Sequence, residues 1–247
     1  DVDALNALLD KFGGRVVNSG GKRIRFVPQT GKTDCFEEGF EPRAYLFGEV
    51  MVRPANWHDL FNALVWMMFP RTKAAINARH FALLQEQKDG QRTPAGDALT
   101  QFDEDGMVVL SSNEHLLELL RGFRWKELFW EQRLSVQEEM RFLPFGHAMY
   151  EKALQPFIGM TAKSILLRVP AAMLKLQGDA LNDAVDQRLA DYVFDVRHLT
   201  HGRSLSPLPV LGVPGWWPQN ETATFYDDVS YFRPGRGGAS SESSSIS

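Results

Sequence analysis

The chain holds a single cysteine, Cys35, among 247 residues. No intramolecular disulfide can form, and one thiolate is too few for a sulfur-ligated zinc site. That usage fits a reducing compartment, and a cytoplasmic location is the expectation. Long apolar runs are also missing. The longest, Leu60 to Phe69 broken by Asn62, falls short of the ~20 residues that a membrane span needs. No basic segment followed by an apolar stretch opens the chain in the manner of a secretory signal. Charge of one sign is lacking too: 27 Lys and Arg stand against 31 Asp and Glu, a net charge of -4. That balance argues against general nucleic-acid binding while leaving room for a local basic groove. There is no G-x-S-x-G elbow, no phosphate-binding Walker loop, no dinucleotide glycine fingerprint and no H-E-x-x-H, so no organic cofactor is implied.

What is present is an ordinary folding composition, 44% hydrophobic and 23% charged, on a chain long enough to bury a core without staples. The pattern predicts an α+β fold in one domain, residues 1–235, with more helix than strand and a small, mainly antiparallel sheet. Asp3 to Phe12 repeats leucine at helical spacing, Lys22 to Pro28 alternates like a strand, and Ala44 to Val52 reads as extended. Asn56 or Asp59 caps a helix reaching Phe69. Pro70 breaks it and opens a second helix, Arg71 to Lys88. After a polar loop, Asp89 to Gly96, the segments Asp97–Phe102 and Met107–Leu110 flank Asp103-Glu104-Asp105-Gly106, the pattern of a β-hairpin with an Asp-Gly turn. Glu114 to Arg121 and Trp125 to Met140 read as helices. Arg141–Phe145 and Ser164–Val169 read as short strands around a helix, His147 to Leu154, and a long helix ends near Phe194. Four prolines between 207 and 218 exclude regular helix from an apolar arm, residues 201–235. The Gly/Ser-rich tail, 236–247, is expected to be disordered.

The helix from Trp57 to Phe69 is apolar nearly all round and should be buried. His58 and Asn62 lie one turn apart on it, with Asp59 beside them. Buried without partners, such groups would each cost about 1–3 kcal/mol. Either they line a cleft, with His58 as general base or metal ligand and Asp59 as its orienter or a second metal ligand, or Asp59 caps the helix and the others bond neighbouring backbone. On the next helix Lys73, Asn77 and His80 fall within an arc of about 60°, and Arg71 sits at the start, where the helix already favours an anion. These four could clamp a phosphate or carboxylate; a solvated basic face is the plainer reading. His147 and Glu151, one turn apart and followed by Lys152, could hold a metal or make a surface hydrogen bond. The acidic turn at Asp103 resembles half a calcium loop but lacks the downstream glutamate, and a hairpin turn accounts for it. Cys35 would be nucleophilic only beside a base. The dipeptide His58-Asp59 also occurs in metal-dependent phosphohydrolases, yet those need an upstream histidine and none precedes His58.

Several strings resemble the bacterial family catalogued as domain of unknown function 3025. They are Asn56-Trp-His-Asp-Leu-Phe-Asn-Ala-Leu-Val-Trp66, Phe69-Pro-Arg-Thr-Lys73 with Asn77-Ala-Arg-His80, Asp97-Ala-Leu-Thr100 through Phe102-Asp103, and Phe145-Gly-His-Ala-Met-Tyr-Glu-Lys152. The tail continues them with Leu211-Gly-Val-Pro-Gly-Trp-Trp-Pro218, Phe225-Tyr-Asp-Asp228 and Phe232-Arg-Pro-Gly235. The resemblance spans about Asn56 to Gly235; it implies one domain and a bacterial origin and carries no activity with it. From the residues, two functions stay open. One is an enzyme, a hydrolase with a divalent metal, acting on an anionic or phosphorylated substrate through His58 and Asp59, with Asn62, Arg71, Lys73, Asn77 and His80 binding it. The other is a non-catalytic domain that holds a small anionic ligand or a partner with the same groups.

Overall fold

Capping residues and glycine stops place most of the elements, and the structure, a computed structural model, describes residues 1–29, 31, 35–86 and 92–235. The tail 236–247 and the tip of the Asp89–Gly96 loop, with Gln87 and Lys88, lie outside the described residues. In chain order the elements are α1 (Val2–Asp10), β1 (Arg25–Pro28), α2 (Phe40–Phe47), β2 (Glu49–Val52), α3 (Trp57–Met68), α4 (Pro70–Glu86) and α5 (Pro94–Asp105). There follow β3 (Gly106–Ser111), α6 (Glu114–Arg121), a π-helical stretch (Glu127–Glu131), α7 (Arg133–Glu139), β4 (Met140–Pro144) and α8 (His147–Ala153). The chain continues through β5 (Thr161–Arg168), α9 (Ala171–Leu174), α10 (Gly178–Phe194) and β6 (Ser206–Pro209). The fold is α+β with more helix than strand. No helix among the described residues is long and apolar enough to cross a membrane.

Two compact units emerge. The first takes Asp1–Gly106, Pro144–Leu154 and Leu176–Leu205. Leu5, Leu9, Ile24, Phe26, Val50 and Trp66 belong to its buried core. Its strands β1 and β2 pair in parallel, Phe26 opposite Val50, a pairing that needs a crossover rather than a tight turn. The expected extended segment, Ala44 to Val52, is therefore half helix. Pro42 sits in the first turn of α2, where its missing N–H is tolerated. Gly48, at φ 73°, stops that helix and releases the chain into β2. Asp186 of α10 anchors the start of α4: its carboxylate accepts from the Arg71 amide at 3.0 Å, the Thr72 amide at 2.9 Å and the Thr72 hydroxyl at 2.8 Å. The Arg79 guanidinium, buried in α4, donates to the carbonyls of Val193 and His198 and satisfies backbone at and just beyond the end of α10.

The predicted hairpin at Asp97–Leu110 is not formed. Residues up to Asp105 are helical, and only Gly106–Ser111 is a strand. Thr93 caps α5, its hydroxyl accepting from the Gly96 amide at 3.0 Å, and Pro94 takes the first turn. Ala98, Leu99 and Phe102 form its fully buried face. Asp105-Gly106 is the end of a helix, not a two-residue turn.

That junction meets the start of α8 at close quarters. The amides of Phe145 and Gly146 both donate to the Gly106 carbonyl, at 3.0 and 2.9 Å. The rings of Phe102 and Phe145 stack 4.7 Å apart. A Cβ on Gly146 would lie 2.2 Å from the Gly106 nitrogen and 2.3 Å from the Glu104 carbonyl oxygen, both backbone atoms that cannot step aside. The second unit comprises Met107–Leu143, Gln155–Lys175 and residues from Ser206 on. It carries a four-stranded sheet in the order β4-β3-β5-β6, with β5 and β6 antiparallel. The proline-rich arm contributes β6 at the sheet edge, the place where a strand accepts proline. Tyr231 fastens the arm by donating to the Met160 carbonyl at 2.8 Å and accepting from the Leu211 amide at 2.9 Å. Gly146→Ala should destabilise the protein by about 1–3 kcal/mol, read as a lower urea midpoint at unchanged slope. An unaltered midpoint would mean the seam has slack that the contacts do not show.

Candidate functional site

The first turn of α3 is set by its cap. The Asn56 side chain accepts from the Asp59 amide at 2.9 Å, after Ala55 has turned the chain through φ 52°. Asp59 then faces backward: its carboxylate takes the Arg53 amide at 2.7 Å and the Arg53 guanidinium at 2.7 and 2.8 Å. Burial would push this carboxyl up, but the Arg53 hydrogen bonds outweigh it and hold the group below the usual carboxylate range. Asp59 therefore does not orient His58, as the sequence suggested. It ties the β2–α3 connection.

His58 points elsewhere, toward α8 and the end of α5. Its Nε2 lies 2.9 Å from Nε2 of His147, the rings meeting edge to face with centroids 4.3 Å apart. The Glu104 carboxylate closes the group, with Oε2 at 3.7 Å from His58 Nε2 and Oε1 at 3.6 Å from His147 Nε2. One donor atom from each of His58, Glu104 and His147 falls within 4.8 Å of the others, the three coming from α3, α5 and α8. Two imidazole nitrogens bound to one tetrahedral cation at ~2.0–2.1 Å would stand about 3.3 Å apart, so small movements would seat an ion. On the far sides, Glu151 Oε2 lies 3.3 Å from His58 Nδ1, and Asp103 Oδ2 lies 3.8 Å from His147 Nδ1. The neighbouring His147 imidazole, opposed by burial, holds Glu104 below the usual carboxylate range.

Behind the histidines is a buried ion pair. Lys73 Nζ donates to both Asp103 oxygens, at 2.6 and 2.8 Å, and to Asn62 Oδ1 at 2.8 Å, and stands 5.5 Å from the Trp66 ring centroid. Burial works against ionising Asp103, but Lys73 and the adjacent imidazoles more than offset it and keep the carboxyl low. The expected substrate-binding role of Asn62 and Lys73 thus gives way to internal bonding. Asn77 is likewise engaged, donating to the carbonyl and carboxylate of Glu41 at 2.9 and 2.6 Å. Arg71 reaches Asp183 and Asp186, each at 3.4 Å, and lines a separate cavity beside α10 with Phe194 and Asp195. His80 does reach the histidine site. It lines, with Arg53, His58, Glu104 and His147, a cavity of about 330 Å³. Of the expected anion clamp, only His80 borders this cavity with its hydrogen-bonding capacity uncommitted to the Lys73–Asp103 or Arg71–Asp186 contacts.

Glu104 and Asp103 were not among the expected site residues, because the hairpin reading placed them at an exposed turn. The signal that finds them is the Thr93-Pro94 start. Once α5 is helical, Thr100, Asp103 and Glu104 share one face, and all three line the cavity. Cys35 is exposed and bonds the Glu37 carboxylate at 3.0 Å. That carboxylate pushes the thiol pKa up, the opposite of an activated nucleophile.

The family model described as a protein of unknown function (DUF3025) matches residues 24–236. The chain belongs to this family, and the match takes in every residue of the histidine site. Neither the curated proteins nor the solved structures yield a match.

Asp59 gives a pH prediction with a definite sign. Its folded pKa is depressed, so its contribution is complete above the ordinary aspartate pKa of about 3.9 and disappears as pH falls through the lower folded value. At neutral pH Asp59→Asn should cost about 1–2 kcal/mol, allowing for the half-exposed Arg53. Urea titrations should show that gap constant from neutral pH to about pH 5 and closing in stronger acid. A gap that widens in acid would refute the pairing.

Proposed function

We propose that the protein is a metal-dependent hydrolase in which His58, His147 and Glu104 hold one divalent cation at the edge of the 330 Å³ cavity. One observation carries the reading: three side chains from three separate helices direct donor atoms to a common point, two of them imidazole nitrogens only 2.9 Å apart. All three side chains also line the cavity. Two imidazoles and a carboxylate suit zinc, manganese, iron or cobalt better than magnesium or calcium, which prefer all-oxygen shells. Three protein ligands leave coordination positions for water and substrate, the arrangement of a catalytic rather than a structural site. A cation bound there supplies Lewis acidity and lowers the pKa of water.

The chain's own groups do the rest. Arg53 and His80 border the cavity, and in this reading they meet an anionic or phosphorylated substrate. In hydrolysis, water oxygen bonds to the substrate phosphorus or carbonyl carbon, the bond to the leaving group breaks, and that group departs with a proton. In this reading His80, which lines the cavity, exchanges that proton. A cytoplasmic setting, which suits the lone cysteine, belongs to the same proposal. The rival reading, a non-catalytic domain that holds a small anionic ligand, uses the same cavity without turnover.

Protein purified without a polyhistidine tag should carry zinc, manganese or iron near one equivalent by elemental analysis, or take it up after chelation. His58→Ala and Glu104→Gln should each weaken uptake at least about 100-fold and abolish any activity found on a phosphoesterase and nuclease panel. Stoichiometric metal with no turnover on any substrate class would favour the binding domain. Uptake unaffected by either substitution would sink the site.

A further inference from the structure

The two imidazoles are flanked in the same sense. Each turns Nε2 toward the other and toward Glu104, and each has a carboxylate beyond Nδ1: Glu151 for His58 at 3.3 Å and Asp103 for His147 at 3.8 Å. A carboxylate beside Nδ1 favours the tautomer with its proton there, because the alternative sets a nitrogen lone pair against a carboxylate. His147 Nδ1 is fully buried, has no hydrogen-bond partner among the described residues, and belongs to a residue only 4% exposed. An orphaned donor of that kind costs free energy until a partner closes on it. Asp103 is the group within reach, and Lys73 holds it in place from the other side. A slight turn of the His147 ring that brings Nδ1 to Asp103 would also re-aim Nε2.

Resting on the metal reading, we propose that Glu151 and Asp103 are positioning residues. Each accepts Nδ1–H from one histidine, so that both Nε2 atoms present lone pairs inward. Two lone pairs 2.9 Å apart repel, and a cation between them removes that repulsion. The pair of outer carboxylates therefore turns the histidine contact from a hydrogen bond between rings into a site that demands a positive charge. Glu151 is then not a metal ligand, although its spacing from His147 suggests one. It stands on the opposite side of His58 from the donor cluster, outside the three groups that converge. Outer-sphere carboxylates of this kind fix the ring orientation and raise ligand basicity.

The test uses the full chain loaded with zinc. Long-range proton–nitrogen spectra of the imidazoles should show His58 and His147 both protonated at Nδ1 and both zinc-bound through Nε2. Competition with a chromophoric chelator should show Glu151→Gln binding zinc 10- to 100-fold more weakly, with Glu151→Asp recovering part of the loss. The urea midpoint should barely move, since Glu151 is half-exposed. Asp103→Asn should weaken zinc likewise, but it also strips Lys73 of its counter-ion, so Glu151 provides the cleaner test. Zinc bound through Nδ1 of either ring, or Glu151→Gln within twofold of wild type, would overturn the positioning role while leaving the metal site intact. Wild-type protein that takes up no zinc, cobalt or manganese would overturn the metal reading itself, and this inference with it.

Discussion

The buried pair between Lys73 and Asp103 is the contact on which the site depends. An ammonium group and a carboxylate taken out of water incur several kcal/mol of desolvation each, which only close mutual bonding returns. Here the bonding is close: Lys73 donates to both Asp103 oxygens and to Asn62, so α3, α4 and α5 are joined at one point. Asp103 then faces His147 of α8. A lysine at this place could not be exchanged for an apolar residue without stranding the aspartate. The pair is weak evidence for stability and better evidence for specificity, since it fixes how far Glu104 and His147 stand from His58.

The same region shows how backbone and side-chain constraints cooperate. Gly146 lets the start of α8 approach the end of α5 closely, and the shared Gly106 carbonyl holds it there. Lys152 bonds Asp105 at 2.5 Å farther along the same two helices. The result is that the neighbours His147 and Glu104 are placed by backbone contacts, whereas His58 is placed by the capped first turn of α3 and the Asp59–Arg53 pair. Groups set by caps, seams and buried ion pairs have little freedom to drift, which is what a preorganised ligand set requires.

Much of this was legible in the sequence, for reasons that are local. Asn56 as a cap, Pro70 as a break and the apolar surround of α3 follow from rules reaching no farther than a few residues. His58 stood out because it is polar on an apolar helix. The partners did not stand out, because His58 and His147 are 89 residues apart in the chain and no periodicity reports a contact of that range. Helix α5 is hidden for a specific reason. Asp105-Gly106 is a strong hairpin signal, whereas the helix start at Thr93-Pro94 falls in a segment that reads as a polar loop. Treating Asp103 and Glu104 as turn residues removed the two carboxylates that matter most. Likewise, Arg71, Lys73 and Asn77 share a helix with His80, but spacing shows only which face they occupy. It cannot show that Asp186, Asp103 and Glu41 already bond them.

The proposed site stands on two imidazoles and one carboxylate sharing a cation. X-ray absorption on the zinc- or cobalt-loaded protein reads that directly. It predicts two imidazole shells with nitrogen at ~2.0–2.1 Å and light oxygen scatterers at similar distance, the imidazole signal falling by half in His147→Ala. A first shell of oxygen alone, or an imidazole signal unchanged by that substitution, would contradict it.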